Sequence, residues 1–158
     1  MRIGIGHDTH RLSEGGPLRL GGIQLAHDQH LVGHSDADVL LHAVTDALLG
    51  AAGWDDLGQW FPDHDPAYRG RDSAEMLREV SRQVAAGGFR IVNLDCIVFA
   101  ETPRLGPAKR AMARRIADLL GLQPEQVAVK AKTGEGLGAV GRGEAIQAQC
   151  VVLLEKSS

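Results

Sequence analysis

The sequence predicts an α/β (α+β) fold, a two-layer sandwich with helices on one face of a mixed β-sheet. Three observations carry that expectation. Stretches with two-residue apolar alternation are interleaved with stretches of helical period along one chain. No linker or low-complexity segment separates them, so both kinds of element share a core. The length, 158 residues, is that of one ordinary domain, able to bury roughly 70% of the surface its unfolded form exposes. Hydrophobic residues at 44% and charged residues at 23% exclude disorder, collagen and coiled coil. With three Phe, two Trp and one Tyr against 20 Gly, the core must be aliphatic and small. A single domain over residues 1–158 is expected.

Residues 2–10 alternate and read as a strand. Leu18 to Leu25 reads as a hairpin turning at Gly21-Gly22. Residues 36–50 form the clearest helix: Leu40, Val44, Ala47, Leu48 and Ala51 share one face, and Asp38, His42, Thr45 and Asp46 another. Ser35 is the expected N-cap, with Asp36 and Asp38 in the first turn. Residues 53–71, with Gly53, Gly58, Pro62, Pro66 and Gly70, read as a long loop. A second helix spans 72–86 with Leu77, Val80 and Val84 inward. Residues 90–100 form a strand with Val92, Leu94, Cys96 and Val98 on one face. A third helix runs to about Leu120, with Met112, Ile116, Leu119 and Leu120 inward and Lys109, Arg110, Arg114 and Arg115 outward. A strand at 127–132, a glycine-rich turn at 134–143 and a last strand at 144–155 follow, the last burying Ile146, Ala148, Cys150, Val152 and Leu154. Cys96 and Cys150 sit inside apolar runs and are expected as reduced core residues.

Charge is uneven. Residues 1–64 carry three basic and nine acidic side chains, and residues 101–158 nine basic and six acidic. All seven histidines lie at or before His64. The acidic, histidine-rich part suits a cation and the basic end an anion such as phosphate. With no dense Lys/Arg stripe and a pI near 6.1, a nucleic-acid partner is not expected. The first residues lack an apolar signal-peptide segment and no apolar run approaches 18 residues, so the expected location is cytoplasmic, without a membrane.

Asp8-Thr9-His10 closes the first strand, where i and i+2 share a face, so carboxylate and imidazole project together. His42, on the polar helix face, is the best placed third ligand. Two histidines and an aspartate suit Zn²⁺, and three protein ligands leave a fourth position open. Asp38 and Asp46, four residues either side of His42, are each placed to accept its other ring N–H. A hydrogen-bonded surface Asp-x-His fits the same short spacing. Gly33-His34-Ser35 precedes the helix, where a phosphate is favoured, although capping by Ser35 accounts for it too. Acids in Asp55 to Gly58 and Phe61 to Asp65 can grip polyol hydroxyls or cap their own turns. Lys132, Thr133 and neighbouring N–H groups can hold phosphate, and Glu135 a divalent ion, without P-loop spacing. Arg142 is either an anion ligand or a solvated loop residue.

Taken together, these residues resemble the 2-C-methyl-D-erythritol 2,4-cyclodiphosphate synthases of the non-mevalonate isoprenoid pathway over nearly the whole chain. The likeness rests on Arg2-Ile3-Gly4, Gly6 to Leu12, His34-Ser35-Asp36-Ala37-Asp38, Leu41 to Gly50, Asp56-Leu57-Gly58, Phe61 to Pro66, Lys130 to Thr133 and Gly141 to Ile146. It implies a zinc-dependent lyase and a homotrimer with sheets around a central cavity and active sites between subunits. The substrate it implies is 4-diphosphocytidyl-2-C-methyl-D-erythritol 2-phosphate, whose 2-phosphate would attack the β-phosphorus with loss of CMP. Asp8, His10 and His42 match the zinc ligands, and Glu135 the ligand of a second ion, Mg²⁺ or Mn²⁺. His34 and Thr133 match residues that help hold the phosphates. The matched substrate segments are Asp8-Thr9-His10, His34-Ser35, Asp56-Leu57-Gly58 and Phe61-Pro62-Asp63-His64-Asp65 for the polyol side. For the cytidine side they are Ala100-Glu101-Thr102-Pro103-Arg104-Leu105-Gly106 and Lys132-Thr133-Gly134-Glu135. Ala139 and Arg142 match the cavity, which in some members holds an isoprenoid diphosphate. Many members carry Gly at Ala37, Thr at His64 and, in some, Phe at Ala139. A zinc-dependent pyrophosphate or phosphodiester hydrolase and a silent nucleotide-binding module are the competing readings.

Overall fold

A computed structural model describes residues 1–62, 64–68 and 70–157. The chain runs β1 (Arg2–Glu14), β2 (Leu18–Leu20), β3 (Ile23–Leu25), β4 (Gln29–Val32), α1 (Val39–Ala52), α2 (Leu57–Trp60) and α3 (Ser73–Ala86). It continues through β5 (Phe89–Phe99), α4 (Lys109–Leu120), β6 (Val127–Lys132), α5 (Gly138–Gly141) and β7 (Ala145–Lys156). Five strands form one mixed sheet in the order β4-β1-β7-β5-β6, and β2-β3 make a separate hairpin. Among the described residues only the β5–β6 pair is parallel, as the α4 crossover between those two strands requires. Helices α1, α3 and α4 form the second layer, which is the sandwich the alternation predicts. The turn of the hairpin is Gly21-Gly22, both at positive φ.

The helix α1 departs from the amphipathic expectation. Every residue of it is buried except Asp46 and Gly50. One side lies across β1 and β7 and another meets α3, so its polar face is inside as well. The approach to β1 is close because Gly4 and Gly6 face it. A Cβ on Gly4 would stand 2.0 Å from the Ala47 carbonyl oxygen, and one on Gly6 1.9 Å from that of Ala43. The stripe Ala43, Ala47, Ala51 meets two glycines, and this close packing absorbs part of the glycine excess.

The helix also starts later than its pattern suggests. Its N-cap is Asp38, whose Oδ1 accepts from Leu41 N at 3.1 Å. Ser35 is not the cap: its Oγ accepts from Ala37 N within a turn ahead of the helix. Ala37 adopts φ 56, a left-handed conformation that favours glycine. The Asp38 carboxylate also takes Gly21 N at 2.8 Å and Gly22 N at 2.7 Å. It therefore joins the hairpin to the helix start.

In β5 a bulge between Ile91 and Asn93 makes Val92 an extra residue. Ile91, rather than the expected Val92, joins Leu94, Cys96 and Val98 in the core. In α4, Met112, Ile116 and Leu119 are buried and Leu120 only partly so. Strand β4 and the short α2 had no clear sequence signal, and β1 extends four residues beyond the predicted span. Cys96 and Cys150 are free, buried and opposite one another across β5 and β7. The sheet face away from the helices keeps Ile3, Ile5, Val32 and Val151 exposed, Ile3 at 73% and Ile5 at 68%. Among the described residues no helix is long and apolar enough to cross a membrane.

Candidate active site

Alternation in β1 puts Gly4, Gly6, Asp8 and His10 on the helix-facing side. The glycines let α1 settle low enough for His42 to reach the end of the strand. Asp8 Oδ2 lies 2.9 Å from His10 Nε2 and 2.9 Å from His42 Nδ1, and those two nitrogens are 3.1 Å apart. These three residues form the one metal-competent cluster among the described residues. His10 Nδ1 stands 2.8 Å from the Val32 carbonyl oxygen. A carbonyl only accepts, so Nδ1 carries a proton, which makes Nε2 the nitrogen that can offer a lone pair to a metal. Two imidazoles and a carboxylate converging on one point are a fitting donor set for zinc. Burial alone would raise the Asp8 carboxyl, but the hydrogen bonds and charges of His10 and His42 hold it well below the usual carboxylate range. His10 is raised: burial opposes its charge, but the bond to Asp8 and the Asp8 charge outweigh it.

Neither aspartate expected to orient His42 does so. Asp38 is turned to the hairpin. Asp46 Oδ1 accepts from Leu57 N at 2.8 Å, fastening α2 to α1, and burial pushes its carboxyl up. The outer nitrogen of His42, Nε2, instead meets Ser73 Oγ at 2.8 Å and Ser35 Oγ at 3.1 Å. Ser73 falls inside the helix expected over 72–86 with nothing to mark it, so its proximity to His42, 31 residues away, has no sequence signal. At the helix N-terminus the Asp38 side chain takes up Leu41 N.

The cluster opens into a cleft of about 630 Å³ lined by Asp8, His10, His34, Ser35, His42, Asp46, Asp56, Leu57, Gly58 and Phe61, with Val32, Gly33, Tyr68 and Met76. Asp56 caps α2 through Gln59 N at 3.1 Å. The long loop is braced by aromatic contacts: Trp54 stacks on Trp60 at 5.3 Å, and Phe61 meets Tyr68 edge-on at 5.5 Å. Arg71 lies over Phe61 and Tyr68 at 5.1 and 5.3 Å and pairs with Glu79 at 2.6 Å. Two of the chain's six aromatics, Phe61 and Tyr68, thus line the cleft, and Phe61 belongs to the core as well. Pro62 and Asp65 are half-buried, His64 is exposed, and Asp63 lies outside the described residues. Thr9 turns to the opposite sheet face, where its hydroxyl is 3.3 Å from His7 Nε2.

A second pocket, about 310 Å³, lies where β5 and β6 end. Ala100, Glu101, Pro103, Arg104, Leu105, Gly106, Lys132 and Thr133 line it, with Pro107, Lys109 and Ala131. Thr102 is exposed beside it. Glu101 accepts from Gly134 N at 3.0 Å, and Thr133 Oγ1 donates to Glu135 Oε1 at 3.2 Å. Glu135 is exposed at φ 51 and stands apart from the Asp8 cluster. Ala139 lies in α5, and Arg142, just beyond it, grips Glu144 through two bonds of 2.9 and 3.1 Å. Because β1, β5 and β6 run in the same direction, both pockets open at one end of the sheet.

An α/β sandwich with an Asp-His-His set facing an open cleft has the build of a metal-dependent enzyme. The chain belongs to the YgbB family, whose description matches residues 1–155. It is 55% identical to the 2-C-methyl-D-erythritol 2,4-cyclodiphosphate synthase of Desulfatibacillum aliphaticivorans, over 98% of this chain and 100% of that one. It is 55% identical to the enzyme of the same name from Moorella thermoacetica, over 98% and 94%. A solved cyclodiphosphate synthase in its CDP-bound form superposes with a TM-score of 0.90 at 41% identity, covering 98% of this chain and all of the other. The bifunctional IspDF of Campylobacter jejuni gives a TM-score of 0.94 at 40% identity, over 98% of this chain and 42% of that longer one.

Proposed function

We propose that this chain closes 2-C-methyl-D-erythritol 2,4-cyclodiphosphate from 4-diphosphocytidyl-2-C-methyl-D-erythritol 2-phosphate, for isoprenoid precursors in the cytoplasm. A 2-phosphate oxygen forms a bond to the β-phosphorus, and the bond from that phosphorus to the α-phosphate bridging oxygen breaks, so CMP leaves with the electron pair. The observation that carries the reading is the convergence of Asp8, His10 and His42 on one point at the mouth of the cleft. Attacking and leaving groups are both anionic, so the barrier is alignment and charge. These three residues would hold a zinc ion, which supplies Lewis-acid polarisation of a phosphate oxygen. His34 and Ser35 border the same cleft and are placed to donate to phosphate. Asp56 and the backbone at Gly58 offer acceptors and donors to the polyol hydroxyls, and Phe61 and Leu57 an apolar wall. The Ala100 to Gly106 segment with Lys132 and Thr133 receives the cytidine and its phosphates, and Glu135 would hold the second ion, Mg²⁺ or Mn²⁺.

The assembly in this reading is a homotrimer, the cleft of one subunit meeting the nucleotide pocket of the next. The exposed Ile3, Ile5 and Val151 on the open sheet face support it, since a row of large apolar side chains on one face favours burial. Arg142 and Ala139 would border an isoprenoid diphosphate in the central cavity.

The decisive experiment is ³¹P NMR of the metal-loaded protein with the cytidyl substrate. A cyclic diphosphate plus CMP is expected. An open-chain phosphate product would instead mark a hydrolase, and an unchanged spectrum a silent module. His42→Ala is expected to abolish zinc binding and product together; a variant that keeps stoichiometric zinc overturns the ligand assignment.

A further inference from the structure

The bond to Val32 makes Nε2 of His10 its ligating nitrogen. His42 needs a different device, because among the described residues no carbonyl is bonded to its ring. Ser73 Oγ lies 2.8 Å from His42 Nε2 and also bonds Asp36 Oδ1. A hydroxyl has one proton and an ionised carboxylate only accepts. The Ser73 proton therefore goes to Asp36, and its oxygen accepts the His42 Nε2–H. This makes Nδ1, the nitrogen that faces Asp8 and His10, the one that can offer its lone pair to a metal.

The acceptor is itself fixed. Asp36 Oδ1 takes Asp38 N at 3.2 Å, Oδ2 takes Ser73 N at 3.2 Å, and Arg19 Nη1 stands 3.7 Å from Oδ2. Two backbone bonds strap the same segments: Gly70 N to His34 O at 2.7 Å and Asp36 N to Arg71 O at 3.2 Å. Ser73 is 1% exposed, so water does not substitute for its hydroxyl. The other nearby acceptor, Ser35 Oγ, is longer at 3.1 Å and already receives Ala37 N.

We propose that Ser73 and Asp36 are a positioning pair that fixes the tautomer and rotation of the His42 ring for metal binding. The proposal rests on the zinc reading above. Neither residue reaches the ligand point; both act through His42, as outer partners of metal-binding histidines do.

The test is zinc affinity by chelator competition, with NMR of the His42 Nε2–H in the zinc-loaded protein. Ser73→Ala is expected to weaken zinc by about 10- to 100-fold and to expose the Nε2 proton to exchange with water. Thr45→Ala is the control. It removes another buried hydroxyl from the environment of α1, one bonded to the Leu41 carbonyl at 2.8 Å, and leaves zinc affinity unchanged. Unchanged affinity and protection in Ser73→Ala, or equal losses in both variants, overturns the proposal. If Ser73→Ala does not fold, Asp36→Asn is read instead: it keeps the volume, removes the charge that holds the Ser73 proton, and must weaken zinc in the same direction. A wild-type protein that binds no zinc sinks the metal reading, and this proposal with it. Wild-type zinc with unchanged variants sinks the positioning pair alone.

Discussion

Gly6→Ala tests the link between fold and site most directly. The added Cβ would stand 1.9 Å from the Ala43 carbonyl oxygen and 2.7 Å from Ala47 N, whereas real Cβ contacts stay above 3.0 Å. Backbone cannot rotate away as a side chain can, so α1 must lift from β1 by about 1 Å, at an overpacking cost of about 1–3 kcal/mol. For a chain of this size that lowers Tm by about 3–10 °C. His42 adjoins Ala43 and rides on the displaced helix, while Asp8 and His10 stay on the strand. Metal–ligand distances tolerate about 0.2 Å, so a 1 Å separation of His42 from its partners removes zinc binding at ordinary concentrations. Differential scanning calorimetry and zinc stoichiometry by atomic absorption are the assays. Gly106→Ala is the stability control, because nothing lies within 4 Å of its added Cβ. A Gly6→Ala protein with full zinc and wild-type Tm would refute the argument that these glycines set the height of His42.

Other outcomes follow from the same structure. Chelation of the metal should lower Tm by about 5–10 °C relative to protein in zinc at 100 times its Kd, since binding to the native state alone adds about 2.7 kcal/mol there; a Tm indifferent to zinc contradicts a native metal site. Arg71→Ala removes the stack on Phe61 and Tyr68 and the pair with Glu79. It should cost about 1 kcal/mol and speed proteolysis between residues 61 and 70, while an unchanged cleavage rate would mean the loop is braced by other contacts. Ile5→Asp places a charge on the open apolar face without touching the core. Light scattering should show smaller particles than the parent protein, with the fold intact by circular dichroism, and an unchanged particle size would show that this face is not the interface of the proposed trimer.

How far the sequence reached depended on the kind of pattern. Strands β1, β5, β6 and β7 and helices α3 and α4 follow local periodicity, because each has one buried and one open face. The largely buried α1 was legible as a helix, but its periodicity could not tell which polar residues lie inside. Val92 falls off the expected face because the bulge there breaks the alternation between Ile91 and Leu94, and no single residue announces it. The Asp8-x-His10 pair followed from strand geometry alone. The role of Ser73 did not, since contact between residues 42 and 73 is a product of packing.

By itself, then, the sequence determined the alternation of elements, the shared face of Asp8 and His10, and the aliphatic character of the core. Those properties are set by neighbours a few residues apart. Tertiary structure alone decided that α1 lies close enough to β1 to bring His42 within 3.1 Å of His10. It also gave Asp38 to the hairpin and Asp46 to α2, and left the outer nitrogen of His42 to Ser73. The physical reason is that a buried polar group bonds whatever donor or acceptor the packing brings within reach, and that choice is made between elements distant in the chain.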